Sequence, residues 1–305
     1  MKITNLIQIP ALALLVLFGC SSNSTKEQKT EVVPTNFNDY WYGGLAEISS
    51  YKLKQARYGE IHEGNAVLIY VTEPFSKEKG AKLDNSTMEN PGIPVLKLNF
   101  TKKFNTGIYP YSMMTSIFTP VDIEKNPHSL KTTTSSQEWC GHTFTSLLLR
   151  DEYIKLSIQS YFENESLSNE RLPIITTEDE LWTRIRINPK SIKTGKIQLI
   201  PSTMFLRLKH VEMKPYNAEV SIANNGNIET LSIIYPELNR SIKIHYHLSF
   251  PHEILSWEDT YKSGWGSDAK TLTTVATKMK DTRVAYWSKN SNTDRKLYEN
   301  LGLKH

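Results

Sequence analysis

Between Arg240 and Pro251 an apolar side chain recurs at every second residue: Ile242, Ile244, Tyr246, Leu248 and Phe250. A period of two turns one face of an extended strand to a core and the other to water; a helix would need a period of 3.6. The same alternation returns at Leu96, Leu98 and Phe100, and at Ile154, Leu156 and Ile158. Extended stretches are predicted also over 45–57, 66–72, 109–118, 132–138 and 143–149. Later ones are predicted around Ile197, Met204, Ala218, Ile228, Ser241, Leu255 and Leu272. Asn224-Asn225-Gly226-Asn227 reads as a hairpin turn, and the polar run between Thr72 and Val95 as a long loop.

Helix signals are sparse. Thr177 followed by Glu180 has the spacing of a capping box, Leu181 and Ile185 then share a face, and Pro189 stops the run. A second short helix is predicted from Asp294 to Leu301, ended by Gly302. The fold class that follows is mainly β: an antiparallel curved sheet or half-barrel with one or two short helices. A sheet that curves without closing has an apolar concave face, which helices or a ligand must cover.

The 305 residues carry 39% hydrophobic and 22% charged side chains, ordinary for a chain that buries a core. The net charge of +4 is too small and too dispersed to argue for nucleic acid. Two cysteines cannot form a disulfide scaffold. There is no Walker A, G-x-G-x-x-G, G-x-S-x-G or H-E-x-x-H pattern, so nucleotide and common hydrolase chemistry lack support.

The start of the chain has its own logic. Lys2 precedes an apolar run centred on Leu12 to Val16, too short to span a bilayer but of signal-peptide proportions. It ends in Leu17-Phe18-Gly19-Cys20, which resembles the lipobox of bacterial lipoproteins. That resemblance implies cleavage before Cys20, lipid attachment to Cys20 and a membrane partner through it. Ser21 after the cysteine resembles outer-membrane sorting. The expected organisation is a signal peptide over 1–19, a lipidated cysteine and flexible tether over 20–38, and a β-rich domain over 39–305. One continuous sheet is expected over this domain; if it has an internal boundary, the polar stretch near 163–176 is the place for it.

Three groups of residues could carry function. Glu138, Cys140 and His142 would share one face if their segment were a single strand, giving a thiol, an imidazole and a carboxylate for nucleophilic catalysis. At i, i+2 spacing they stand ~7 Å apart, so a bulge at Gly141 would be needed to join them. His245 and His247 lie on the polar face of the cleanest strand, an arrangement loosely similar to a cupin metal site, with Glu253 beyond. Trp41, Tyr42, Arg57, His62, Tyr109, Tyr111 and Trp139 form aromatic and polar clusters suited to a binding cleft.

The runs Trp41-Tyr42-Gly43-Gly44, Tyr58 to Gly64, Lys97 to Tyr111 and Ser135 to His142 resemble an uncharacterised family of bacterial lipoproteins often labelled "septum formation inhibitor Maf". The Ser- and Arg-rich phosphate-binding motif of the cytosolic Maf pyrophosphatases has no counterpart here, so the resemblance brings no catalytic residues. The successive strands from Lys196 to Trp257 are similar in style to periplasmic curved-sheet proteins of the DUF3108 type.

Taken together, the expectation is a membrane-anchored lipoprotein of the cell envelope. It would be a non-enzymatic binder of an amphiphile or an envelope partner, with no cofactor. The alternatives are a thiol hydrolase or acyltransferase at Cys140 and His142, or a metal-binding lipoprotein at His245 and His247.

Overall fold

The computed structural model describes residues 36–303. Cys20, the signal segment and most of the tether lie outside them. The described residues group as a single compact unit, built on one antiparallel sheet. Its strands are β1 (Ala46–Arg57), β2 (Glu60–Ser76), β3 (Ala81–Lys82), β4 (Ile93–Thr106), β5 (Tyr109–Pro120), β6 (Lys131–Glu138), β7 (Gly141–Leu149), β8 (Ile154–Gln159) and β9 (Leu167–Leu172). They continue with β10 (Gly195–Leu199), β11 (Tyr216–Asn225), β12 (Ile228–Tyr235), β13 (Arg240–His247), β14 (Ile254–Ser263) and β15 (Lys270–Val284). Nearly all neighbours in space are neighbours in sequence. The exceptions are β4, which pairs with β2 past the short β3, and β15, which closes back on β1 and welds the C-terminal meander to the N-terminal one. β9 and β10 are the two open edges.

The helices are α1 (Phe37–Trp41), α2 (Glu178–Ile187), α3 (Thr203–Lys209) and α4 (Arg295–Asn300). The sheet wraps around α2. Trp182 packs its ring 4.9 Å from Phe100 of β4 and 5.2 Å from Trp257 of β14, and its carbonyl accepts from Tyr70 of β2 at 3.1 Å. Helices α2 and α3, rather than a ligand, therefore cover the middle of the concave face. Every residue of α2 from Glu178 to Arg186 is buried, so its charges must be answered inside the protein. Arg186 meets Glu47 of β1 with both prongs at 2.6 Å. Arg240 of β13 takes Glu178 at 2.6 and 2.8 Å and Asp259 of β14 at 2.7 and 3.0 Å. Thr177 caps the helix by accepting from the Glu180 amide, while the Glu180 carboxylate turns to Arg184 and the Ser129 amide. The outer face of β1, β2 and β15 is covered where Leu301 and Leu303 pack on Ile48, Val67 and Met279.

Several expectations are corrected. Trp41 and its neighbours form the short helix α1, which no sequence signal announced, with Asn36 accepting from the Asp39 amide as its cap. Met204 lies in α3, not in a strand. The polar stretch 163–176, where an internal boundary would fall, holds β9, which pairs with β8. The long loop after Thr72 is shorter than its polarity suggests, because β2 runs to Ser76 and β4 begins at Ile93.

Candidate functional site

Antiparallel order brings one end of many strands to a common rim. The turns β1–β2, β4–β5, β6–β7 and β14–β15, the β8–β9 connection and the C-terminal end of α3 all gather there. Four of the side chains singled out as binding residues meet on this rim, together with Glu138. Arg57 closes β1, Tyr109 and Tyr111 open β5, Glu138 closes β6, and Trp139 sits in the turn that follows. His62 is tied to them by its Nε2, 3.1 Å from the Arg57 carbonyl oxygen. Trp41 and Tyr42 do not join them. They stand beside the opposite end of β1, where Tyr40 donates to Glu47, and ten residues of extended chain from Glu47 to Arg57 span about 33 Å.

Glu138 is the hub of the rim. It accepts from Tyr109 at 2.9 Å, from Tyr161 at 3.0 Å and from Arg207 of α3 at 3.4 Å. Arg207 also reaches Thr143 and Glu165, each at 3.0 Å, and Glu165 pairs with His210. Burial and the bond to Glu138 push the Tyr161 hydroxyl up to about 12, so it stays a neutral donor. Cys140 is exposed in the β6–β7 turn, and its amide donates to the Tyr109 hydroxyl at 3.1 Å. Glu138 pairs with Gly141 and Gln137 with His142 across this hairpin. The three residues expected on one strand face are thus split between a strand end, a turn and the next strand.

Beside this network lies a cleft of about 390 Å³ between α3 and strands β7 to β9. Ile158, Leu167, Leu206, Val211 and Met213 give it apolar walls, and Glu165, Arg207 and His210 hold its mouth. That size is in the range of small-molecule sites. His210 also lines the adjoining notch formed by Arg57, Tyr58, Lys209 and Trp265. A slightly larger hollow, about 420 Å³, lies between α2 and β10. Its Arg184 is already engaged by Glu180 and the Pro127 carbonyl, and seven other charged or polar side chains share the lining. The α3 cleft is the better amphiphile site because the larger share of its lining is apolar.

His245 and His247 lie near the far end of β13. His245 Nδ1 is 2.9 Å from the Thr230 hydroxyl and its Nε2 is 3.9 Å from Glu258. Among the described residues no group of three or more His, Cys, Asp or Glu is placed to hold a metal ion.

Arg207, His210, Glu165, Tyr161 and Tyr58 were missed in the sequence. A signal was present for α3: Ser202 precedes Met204, Leu206, Arg207, Leu208 and Lys209, all but the serine good helix formers. The alternation Leu206-x-Leu208 imitated a strand. Tertiary structure supplies the cap instead, since Asp179 of α2 accepts from the Thr203 amide at 3.0 Å and its hydroxyl at 2.6 Å.

No family model and no curated protein sequence matches the chain. Two solved structures share a distant likeness. The Aeromonas veronii immune modulator A is 8% identical with a TM-score of 0.18, over 77% of this chain and 94% of its own. A porin-like protein from Bacteroides uniformis is 6% identical with a TM-score of 0.17, over 76% of this chain and 95% of its own. Likenesses this distant carry no argument about function, and the fold and the rim stand on their own geometry.

Proposed function

We propose that this chain is an exported, lipid-anchored protein of the cell envelope that binds an amphiphile in the cleft beside α3. The carrying observation is the pairing of an apolar wall, Ile158, Leu167, Leu206, Val211 and Met213, with a charged mouth of Glu165, Arg207 and His210. An acyl or similar apolar tail would leave water along the wall, worth ~25 cal/mol per Å² of apolar surface. A polar head group would exchange hydrogen bonds with Arg207 and His210. Nothing in this reading asks the protein to make or break a bond. The placement at the outer membrane rests on the sequence around Cys20 and Ser21.

The test is native mass spectrometry on a Cys20→Ala chain, exported and purified without detergent. A bound species of several hundred daltons, released on denaturation and absent from a Leu167→Asp variant, supports the reading. An unloaded protein that takes up neither fatty acid nor lysophospholipid rejects it.

A further inference from the structure

The rim carries aromatic side chains on the outside of its turns, where a folded chain gains nothing intrinsic from them. Trp139 and Trp265 are each 65% exposed and Ile108 is 82% exposed, and all three sit in turns between strands. They are not scattered. Ring centroids run from Trp265 to Tyr58 at 5.1 Å, Tyr58 to Tyr111 at 6.5 Å, Tyr111 to Tyr109 at 5.3 Å and Tyr109 to Trp139 at 6.1 Å. This row crosses four successive connections of the sheet. Tyr161 and Phe162 continue it on the β8–β9 connection.

One member is held there at a cost. Tyr58 and Gly59 both have positive φ, 54° and 81°. The left-handed region costs a side-chain-bearing residue on the order of 1–2 kcal/mol, and Asn would fill this turn position better. A bulky aromatic kept in that conformation and left 39% exposed points to a use for its ring.

Three cations beside the row have no carboxylate partner among the described residues. Arg57 is only 8% exposed, yet it bonds the Leu208 carbonyl and the hydroxyls of Tyr58 and Tyr111, and has no carboxylate within ion-pair distance among the described residues. Lys209 donates to the Lys262 carbonyl at 2.6 Å, and neither lysine has a carboxylate partner among the described residues. The half-buried carboxylates of this rim, Glu138 and Glu165, are taken by Arg207 and His210. Glu60, Glu163 and Asp268 are exposed beyond them.

We infer that this rim docks on an anionic lipid bilayer, with Trp265, Tyr58, Ile108 and Trp139 entering the interface and Lys209 and Lys262 facing lipid phosphates. Amphipathic aromatic rings belong at the level of the head groups, and basic side chains near an anionic surface each add to the attraction. The chain length allows it. From Cys20 to Asn36 the polypeptide can reach about 54 Å when extended, while β1 is about 36 Å long from Ala46 to Arg57. An anchored Cys20 therefore leaves either rim free to meet the membrane. The inference shares the envelope location with the proposed function but does not need the cleft to hold a ligand.

The experiment is vesicle co-sedimentation of the Cys20→Ala chain, which removes the acyl anchor. The vesicles are pure phosphatidylcholine or phosphatidylcholine with 30% phosphatidylglycerol (about one lipid in three). Binding is expected only to the anionic vesicles and is expected to weaken with salt. Lys209→Gln with Lys262→Gln should cut it about 25-fold, about fivefold per lysine. Trp139→Ser with Trp265→Ser should cut it at least tenfold, while Trp287→Ser, an exposed tryptophan outside this rim, changes nothing. These are surface positions, and unchanged circular dichroism will show that the variants fold. Absence of vesicle binding, equal binding to both vesicles, or an equal loss for Trp287→Ser overturns the inference and redirects the search to a protein partner. Leu167→Asp separates the two proposals: it should empty the cleft and leave vesicle binding within twofold.

Discussion

Arg240 holds Glu178 with two parallel hydrogen bonds, 2.6 and 2.8 Å long, across the gap between β13 and the buried first turn of α2. The same guanidinium holds Asp259, so a single cation answers two buried carboxylates and fixes the height of α2 within the sheet. Arg240→Leu would leave both carboxylates without their partner. Removing one member of a buried ion pair costs ~3–5 kcal/mol, and urea denaturation is expected to show a loss of that size. Exchanging Arg240, Glu178 and Asp259 together for apolar residues should cost less than the single change.

The two buried carboxylates Glu47 and Asp179 should give stability opposite dependences on pH. Burial alone would raise the Glu47 carboxyl, but Arg186 outweighs it and holds the group below its ordinary value of 4.5. Its contribution is present above the unfolded value and is lost as pH falls through the folded one. Asp179 is pushed from 3.8 up to about 6, mainly by burial, against the bonds from Thr203. The folded state then holds its proton more tightly than the unfolded state does. Stability falls as pH rises from about 4 to about 6, by on the order of 3 kcal/mol. Asp179→Asn keeps an acceptor for Thr203 and should flatten that interval in denaturation curves measured at pH 4.5 and 7.

Gly64 of β2 lies against β4 so closely that a methyl group would meet the Lys103 carbonyl and come within 2.7 Å of Phe104 Cβ. Neither neighbour is the loose end of a flexible side chain. Gly64→Ala is expected to destabilise by about 2–3 kcal/mol, read from the urea midpoint. A change below 0.5 kcal/mol would mean that β2 and β4 can part locally.

Cys140 is the free thiol of the described residues and is exposed. It should react fully with a maleimide in the native protein, without denaturant. Cys140→Ala is expected to leave stability within about 0.5 kcal/mol, as for an ordinary surface position. If it also leaves the cellular phenotype intact, the thiol-enzyme alternative fails.

Much of the sheet was legible because a period of two survives whatever the strand later packs against. The strands 45–57 and 109–118, the Asn225-Gly226-Asn227 turn and the cap of α2 at Thr177 lie where the residues place them. Less legible were elements whose faces are defined by partners distant in sequence. Leu181 and Ile185 announced one buried face of α2, yet the helix is buried all round because the curl of the sheet surrounds it. No local pattern separates Glu178 and Arg186 from solvent-facing charges; only Arg240 and Glu47, brought in by β13 and β1, show where those charges belong.

The rim shows the same division. Tyr109, Tyr111, Glu138 and Trp139 could be picked out as an aromatic and polar cluster because β5 to β6 are nearby in the chain. Arg207, Glu165 and His210 joined them only when the sheet curved and set α3 and the β8–β9 connection against the end of β6. By itself the sequence determined the strand-rich architecture and, through the residues before Cys20, the expectation of a lipid anchor. Tertiary structure decided what covers the concave face, which charges are buried and which distant side chains share a rim. Strand and turn formation answers to nearest neighbours along the chain, whereas a cleft is made by the curvature of a whole sheet.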